Sequence, residues 1–235
     1  MLVLIFDVDD TLYSQIEPFS KAYKQLFGNT DIDMEKLYQR SRYYSDLKFE
    51  ESRKGCMTME DYHSYRIRKA LKDFGVIVSY EEGLRFQKLY ADNQKKIEVT
   101  KPTEQFLNFI KDKNIKLAII TNGPSDHQWN KIYTLKLSRW FSQENIFVSY
   151  DIGYNKPDKQ IFNFVSKKMH LTEDDEIYYI GDSFDNDIIG ARKVNWQAIW
   201  LNRRKVKPSE KLDNFLEVST DEELVDYLYK IVEKY

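Results

Sequence analysis

The chain has 235 residues and a formal net charge of −2, from 36 basic against 38 acidic side chains, so it lacks the electrostatic footprint of a nucleic-acid binder. Hydrophobic residues at 42% and charged residues at 31% describe a globular protein with a real core, not a disordered chain. A lone cysteine, Cys56, excludes a disulfide framework and a cysteine-rich zinc site, and reads as a packed or half-exposed thiol.

The first element is an apolar strand, Leu2–Phe6, that runs into Asp7, Asp9 and Asp10. It is too short for the apolar region of a signal peptide, has no basic residues before it and meets acids instead of a cleavage site. No later run reaches the ~18 apolar residues of a membrane span, so a soluble, cytoplasmic protein is expected. From Ser14 the pattern turns helical, with Phe19–Phe27, Met34–Lys48, Thr58–Phe74 and Tyr80–Lys95 divided by Gly28-Asn29, Gly55 and Gly75. Thr58 opens its helix with an acid, Asp61, three residues on. This stretch predicts an all-helical domain over 14–96, inserted after the first strand, with 1–13 and 97–235 forming the other domain.

Beyond it, strands alternate with helices. The apolar runs Ile115–Ile120, Ile146–Tyr150, Glu176–Ile180 and Gln197–Leu201 each end in polar or glycine-containing turns. Between or before them lie helix-length stretches, Thr103–Lys113, Asp126–Leu137, Pro157–Met169 and Asp185–Val194, and Asp221–Tyr235 reads as a closing amphipathic helix. Continuous apolar strands interleaved with helices predict an α/β fold, a Rossmann-like, doubly wound parallel sheet. Ligands of such sheets bind outside the carboxyl ends of the strands.

The polar clusters fall at those ends. After the first strand, Asp7 and Asp9 pair two carboxylates; held together they repel unless a cation or proton lies between them. One can attack while the other carries a proton. A second acidic cluster, Gly181-Asp182-Ser183-Phe184-Asp185-Asn186-Asp187, follows another strand, and oxygen-only ligands suit Mg²⁺. Thr121 supplies a hydroxyl and the Asn122-Gly123 turn backbone N–H groups, while Lys156 before Pro157 supplies a cation. Together the set provides what phosphoryl transfer needs: a nucleophile, a metal, donors and a positive charge.

DxDxT, TNG, KP and GDSxxND, in that order and each after a strand, resemble the haloacid dehalogenase-like (HAD) hydrolases over essentially the whole chain. The resemblance implies a Rossmann-like core with a helical cap inserted after the first strand, closing over the substrate. It implies Asp7 as the nucleophile that becomes an aspartyl phosphate and Asp9 as general acid and base. Thr121, Asn122 and Lys156 would hold the phosphoryl group. Mg²⁺ would be bound by Asp7, Asp182, the backbone carbonyl of Asp9, and Asp187 directly or through water. Asp10 stands where the family varies and reads as a turn. Family dehalogenases lack an acid two residues after the nucleophile, whereas phosphatases and phosphomutases have Asp, as Asp9 is here. The expectation is therefore a Mg²⁺-dependent phosphatase of a small phosphorylated metabolite, with a nucleotidase-like enzyme as one form of it. The alternatives are a phosphomutase of the β-phosphoglucomutase kind, or a phospho-acceptor or binding protein without turnover. Neither nucleic acid nor membrane is expected as a partner. Asn195 replaces a common family glycine and can take the left-handed cap conformation.

The remaining features have plainer readings. His63, His127 and His170 show no ligand spacing, with His127 nearest the TNG turn. The mix of Tyr38, Arg40, Arg42, Tyr43, Tyr44, Tyr62, Tyr65 and Arg66 reads as aromatics packing a bundle that arginines solvate. Arg203-Arg204-Lys205 reads as a solvated loop.

Overall fold

The computed structural model describes residues 1–53 and 55–235. The chain divides into two compact units, Met1–Ser14 with Glu98–Tyr235, and Gln15–Ile97.

The first unit is built on a six-stranded sheet of β1 (Leu2–Phe6), β2 (Lys116–Thr121), β3 (Ile146–Val148), β4 (Glu176–Gly181), β5 (Gln197–Leu201) and β6 (Leu216–Val218). Every pairing is parallel and the order is β3-β2-β1-β4-β5-β6. All five residues of β1 are buried, as the continuous apolar run requires of a central strand. The chain leaves β1 toward β2 and β3 on one side and returns through β4 on the other, so the strand order reverses around β1. Crevices at such a reversal are where doubly wound sheets bind ligands.

Helices α5 (Lys101–Ile110), α6 (Ser125–Thr134), α7 (Ser149–Ile152), α8 (Lys159–Lys168), α9 (Ile189–Arg192) and α10 (Asp221–Val232) complete this unit. The α10 helix begins at Thr220, whose side chain accepts the Glu223 N–H, and buries Leu224, Leu228 and Ile231. Its Tyr229 ring meets Phe106 edge-on at 5.2 Å.

Three details differ from expectation. The third strand stops at Val148, because Ser149 turns its hydroxyl to accept the Gly123 N–H, and α7 closes on Gly153 with φ 83°. The helix expected over Asp185–Val194 is divided: Phe184–Ile188 is a π-helical turn capped by Ser183, and only Ile189–Arg192 is α-helical. The short strand β6 was not anticipated, since three residues with an exposed Glu217 in the middle carry no readable period. Asn195 takes the left-handed conformation, φ 62°.

Gly190 on α9 faces Phe162 so closely that a Cβ there would lie 2.5 Å from the ring. Gly190→Ala is expected to lower the unfolding free energy by about 1–3 kcal/mol through overpacking. Urea denaturation checks it, and a loss under about 0.5 kcal/mol would show that Phe162 yields freely.

The second unit holds α1 (Ile16–Phe27), α2 (Met34–Arg53), α3 (Met59–Asp73) and α4 (Tyr80–Gln94). Ser79 and Glu82 form a reciprocal capping box at α4, and Thr58 caps α3 by accepting the Asp61 N–H. Phe19, Leu37, Ile67, Leu71 and Phe86 share one buried cluster, with the Phe19 ring edge-on to Tyr38, Phe86 and Tyr90. Of the aromatics read as packing, Tyr38 and Tyr62 are buried but Tyr43 is exposed. Arg40 pairs with Asp73 rather than standing in solvent alone. Cys56 is exposed, not packed.

Candidate active site

Asp7 continues the β1 ladder by one bond, its N–H donating to the Ile180 carbonyl at 2.9 Å, which sets its side chain at the carboxyl edge between β2 and β4. Lys156 reaches it from the segment between α7 and α8. The Lys156 ammonium donates to Asp7 Oδ1 at 2.6 Å, Asp187 Oδ1 at 2.6 Å and the Tyr179 hydroxyl at 2.9 Å. Three N–H groups meet three acceptors, so the buried cation is saturated. Asn122 holds this lysine from outside: its side-chain Oδ1 accepts the Lys156 N–H and its Nδ2 donates to the Lys156 carbonyl, both at 2.9 Å. The Asn122 side chain is thus a brace for the lysine's backbone.

The π-helical turn swings Asp187 back under Gly181, where the Ser183 N–H donates to its Oδ2 at 2.9 Å. A Cβ on Gly181 would collide with this carboxylate. Asp7, Asp182 and Asp187 each offer an oxygen, and these oxygens lie within 4.8 Å of one another. Electrostatics in this cluster are unbalanced. Burial, with Asp187 and Asp9 adding repulsion, pushes the Asp7 carboxyl up to about 7 against the opposing pull of Lys156. Burial also holds Asp182 well above the ordinary carboxylate range, reinforced by Asp10, Asp187 and Asp7 and opposed by Arg204. Burial alone would pull Lys156 down, but Asp187 and Asp7 hold it well above its usual value. Three close carboxylates beside one lysine leave a surplus of negative charge that a divalent cation complements. An oxygen-only set of this kind fits Mg²⁺.

Asp9 stands apart from that cluster. Both of its carboxylate oxygens accept from the Lys131 ammonium, at 2.7 and 2.6 Å, and Oδ2 also accepts from Gln128 Nε2 at 3.1 Å. The Tyr13 hydroxyl donates to Oδ1 at 2.5 Å. Thr121, fully buried at the end of β2, donates its hydroxyl proton to Gln128 Oε1 at 3.1 Å.

The family model for haloacid dehalogenase-like hydrolases matches residues 1–195. This chain belongs to that family. The HAD-hydrolase YfnB of Bacillus subtilis is 28% identical over 213 residues, 85% of this chain and 83% of its own length. A glyceraldehyde 3-phosphate phosphatase of Methanopyrus kandleri is 24% identical across 97% of each chain. The magnesium-bound crystal structure of YfnB superimposes with a TM-score of 0.65 at 24% identity, covering 96% of this chain and 97% of its own, which shows the shared fold.

Within this HAD-like hydrolase the anticipated residues Asp7, Lys156, Asp182 and Asp187 converge, and Thr121 joins Asp9 through Gln128. Sequence reasoning missed Gln128 and Lys131. The available signal was their spacing: three apart on the helix that follows the TNG turn, they share a face. His127, nearest that turn in sequence, is exposed instead. The expectation for Arg203 and Arg204 as a solvated pair is corrected. Arg203 donates to the carbonyls of Asp10 and Thr11 and to the Asp221 carboxylate, while Arg204 pairs with Asp10 and lies 3.6 Å from Asp182. Asp10 is a turn residue, with φ 57°, but it also anchors these arginines. A loop after β5 is thereby tied to the loop after β1, which polar sequence alone does not reveal. Among the described residues, no helix is long and apolar enough to cross a membrane.

Replacing Lys156 with Met leaves Asp7 and Asp187 buried without their cation. Lys156→Met is expected to cost about 3–5 kcal/mol of stability in metal-free protein, read by urea denaturation. A cost below about 1 kcal/mol would show that the carboxylates are not held by this ion pair.

Proposed function

We propose that this HAD-like hydrolase is a Mg²⁺-dependent phosphatase that cleaves the monoester of a small phosphorylated metabolite through an aspartyl phosphate on Asp7. The observation that carries the reading is the second carboxylate, Asp9, two residues beyond a buried Asp7 that is paired to Lys156. An ester oxygen leaves as an alkoxide and needs a proton, and the covalent intermediate needs an activated water; a single titratable group can serve both. The phosphatase name of the M. kandleri relative supports the same chemistry.

In the first step an Asp7 oxygen attacks phosphorus, the ester P–O bond breaks and Asp9 gives its proton to the departing oxygen. In the second, Asp9 takes a proton from water, the water oxygen attacks phosphorus, and the bond to Asp7 breaks to release inorganic phosphate. Thr121 and the Asn122 backbone N–H hold the phosphoryl oxygens, the Gly123 N–H being taken by Ser149, and Lys156 offsets charge on Asp7. Asp7, Asp182, Asp187 and the Asp9 carbonyl would hold Mg²⁺, which when bound neutralises phosphoryl charge and draws electron density from phosphorus. The helical unit, Gln15–Ile97, takes the cap role in this reading.

The deciding experiment presents purified enzyme and Mg²⁺ with pyrimidine and purine nucleotides, sugar phosphates and small phospho-acids, and measures phosphate release. Release of phosphate from a subset of these supports the reading, and preference for nucleotides would narrow it to a nucleotidase. Isomerisation of a sugar phosphate without net release would establish a mutase in its place.

A further inference from the structure

Asp9 has to protonate and then deprotonate at a defined place, yet it sits in a loop after β1 with no strand to fix it. Beside the Tyr13 hydroxyl, α6 holds it. Lys131 meets both carboxylate oxygens and Gln128 meets one of them, while the other face of the Gln128 amide receives the Thr121 proton. Lys131 and Asp9 keep only 19% and 22% of their side-chain surface exposed, so their pairing is better shielded than a surface ion pair. Gln128 is buried, its Nε2 donates to the Asn122 carbonyl of the TNG turn at 2.9 Å, and a Cβ on Gly123, where φ is +148°, would lie 2.5 Å from that nitrogen. The turn that would bind phosphate is therefore shaped around the same amide that holds Asp9.

We propose that Lys131 and Gln128 are positioning residues for the acid–base Asp9, with Gln128 linking it to the phosphate-binding hydroxyl of Thr121. The proposal deepens the phosphatase reading and rests on it. Thr121 has one hydroxyl proton. A phosphoryl oxygen that takes it takes it from Gln128, so the two roles of Gln128 are coupled in a way that those of Lys131 are not. The two residues are thus expected to leave different kinetic signatures.

With 4-nitrophenyl phosphate and Mg²⁺, Lys131→Met is expected to lower kcat about 10-fold to 100-fold and to lower KM alongside it, leaving kcat/KM within about threefold, because hydrolysis of the covalent intermediate becomes limiting. Its first turnover should show a burst of nitrophenolate equal to the enzyme concentration. This good leaving group departs without a proton, whereas hydrolysis of the aspartyl phosphate still waits on Asp9. Lys131→Arg, which can also grip both oxygens, is expected to restore most of kcat. Gln128→Leu is expected to lower kcat and raise KM, because it disturbs the Thr121 hydroxyl as well as Asp9. Thermal melting follows each variant, and if the Met variant does not fold, Lys131→Gln carries the same readout. Unchanged kcat in Lys131→Met, or a rise in KM with kcat intact, would overturn the proposal. The underlying reading fails separately: activity remaining in Asp7→Asn removes it, whereas a dead Asp7→Asn beside a fully active Lys131→Met removes the positioning role alone.

Discussion

Asp7→Asn is expected to reduce hydrolysis of 4-nitrophenyl phosphate by about 10⁴-fold or more, while the protein melts within a few degrees of wild type. A carboxamide oxygen is a poor nucleophile and forms no aspartyl phosphate. The substitution is otherwise mild. Lys156 keeps Asp187 and Tyr179 as partners, and the cluster loses a carboxylate that burial, Asp187 and Asp9 already push up to about 7. Removing a repelled charge costs the fold little, so the lost rate reports the chemistry. Steady-state turnover with a parallel melting curve measures both, and a variant keeping a tenth of wild-type activity would remove Asp7 as the nucleophile.

Metal removal is expected to be nearly as severe, a loss of about 10³-fold on chelation, reversed by excess Mg²⁺. The stability of the metal-free protein carries a second signature. The folded-state carboxyl of Asp7 lies at about 7 against an ordinary 3.8, and that of Asp182 is raised in the same direction. In that window the folded state keeps protons that the unfolded chain has released, so metal-free stability falls as pH rises from the ordinary carboxylate range toward 7. Mg²⁺ competes with those protons for the same oxygens. The rise in Tm on adding Mg²⁺ is therefore expected to be larger at about pH 8 than at about pH 5. Equal shifts at both, or no loss of turnover with chelator, would argue against metal held by these carboxylates.

The legible part of the fold was the part written in strong local patterns. Each of β1, β2, β4 and β5 is a buried apolar run ending in a polar motif, and the end of β5 was read to the residue. Parallel strands covered by helices need such runs, so pattern and fold coincide. The third strand was overread because Ser149 looks like a strand residue until its hydroxyl meets Gly123 from a different loop. The helix after Asp182 was read as regular, yet the π-helical turn that carries Asp187 under Gly181 depends on contacts to β4 that no local period encodes.

By itself the sequence determined the α/β class, the placement of acids, Thr121 and Lys156 at strand ends, and through their order the resemblance to the HAD hydrolases. These follow from strand polarity: a run that ends in a motif must deliver it to the carboxyl edge. The tertiary structure decided what holds those groups. Lys156 is saturated by residues 149, 31 and 23 positions away, and Asp9 is gripped by Lys131 from 122 positions away. Arg203 and Arg204, which alone look like a solvated basic run, are folded onto Asp10 and Asp182. Long polar side chains find such partners only once the sheet has aligned the strand ends, because their reach is a few ångströms while the separation along the chain runs from tens of residues to well over a hundred.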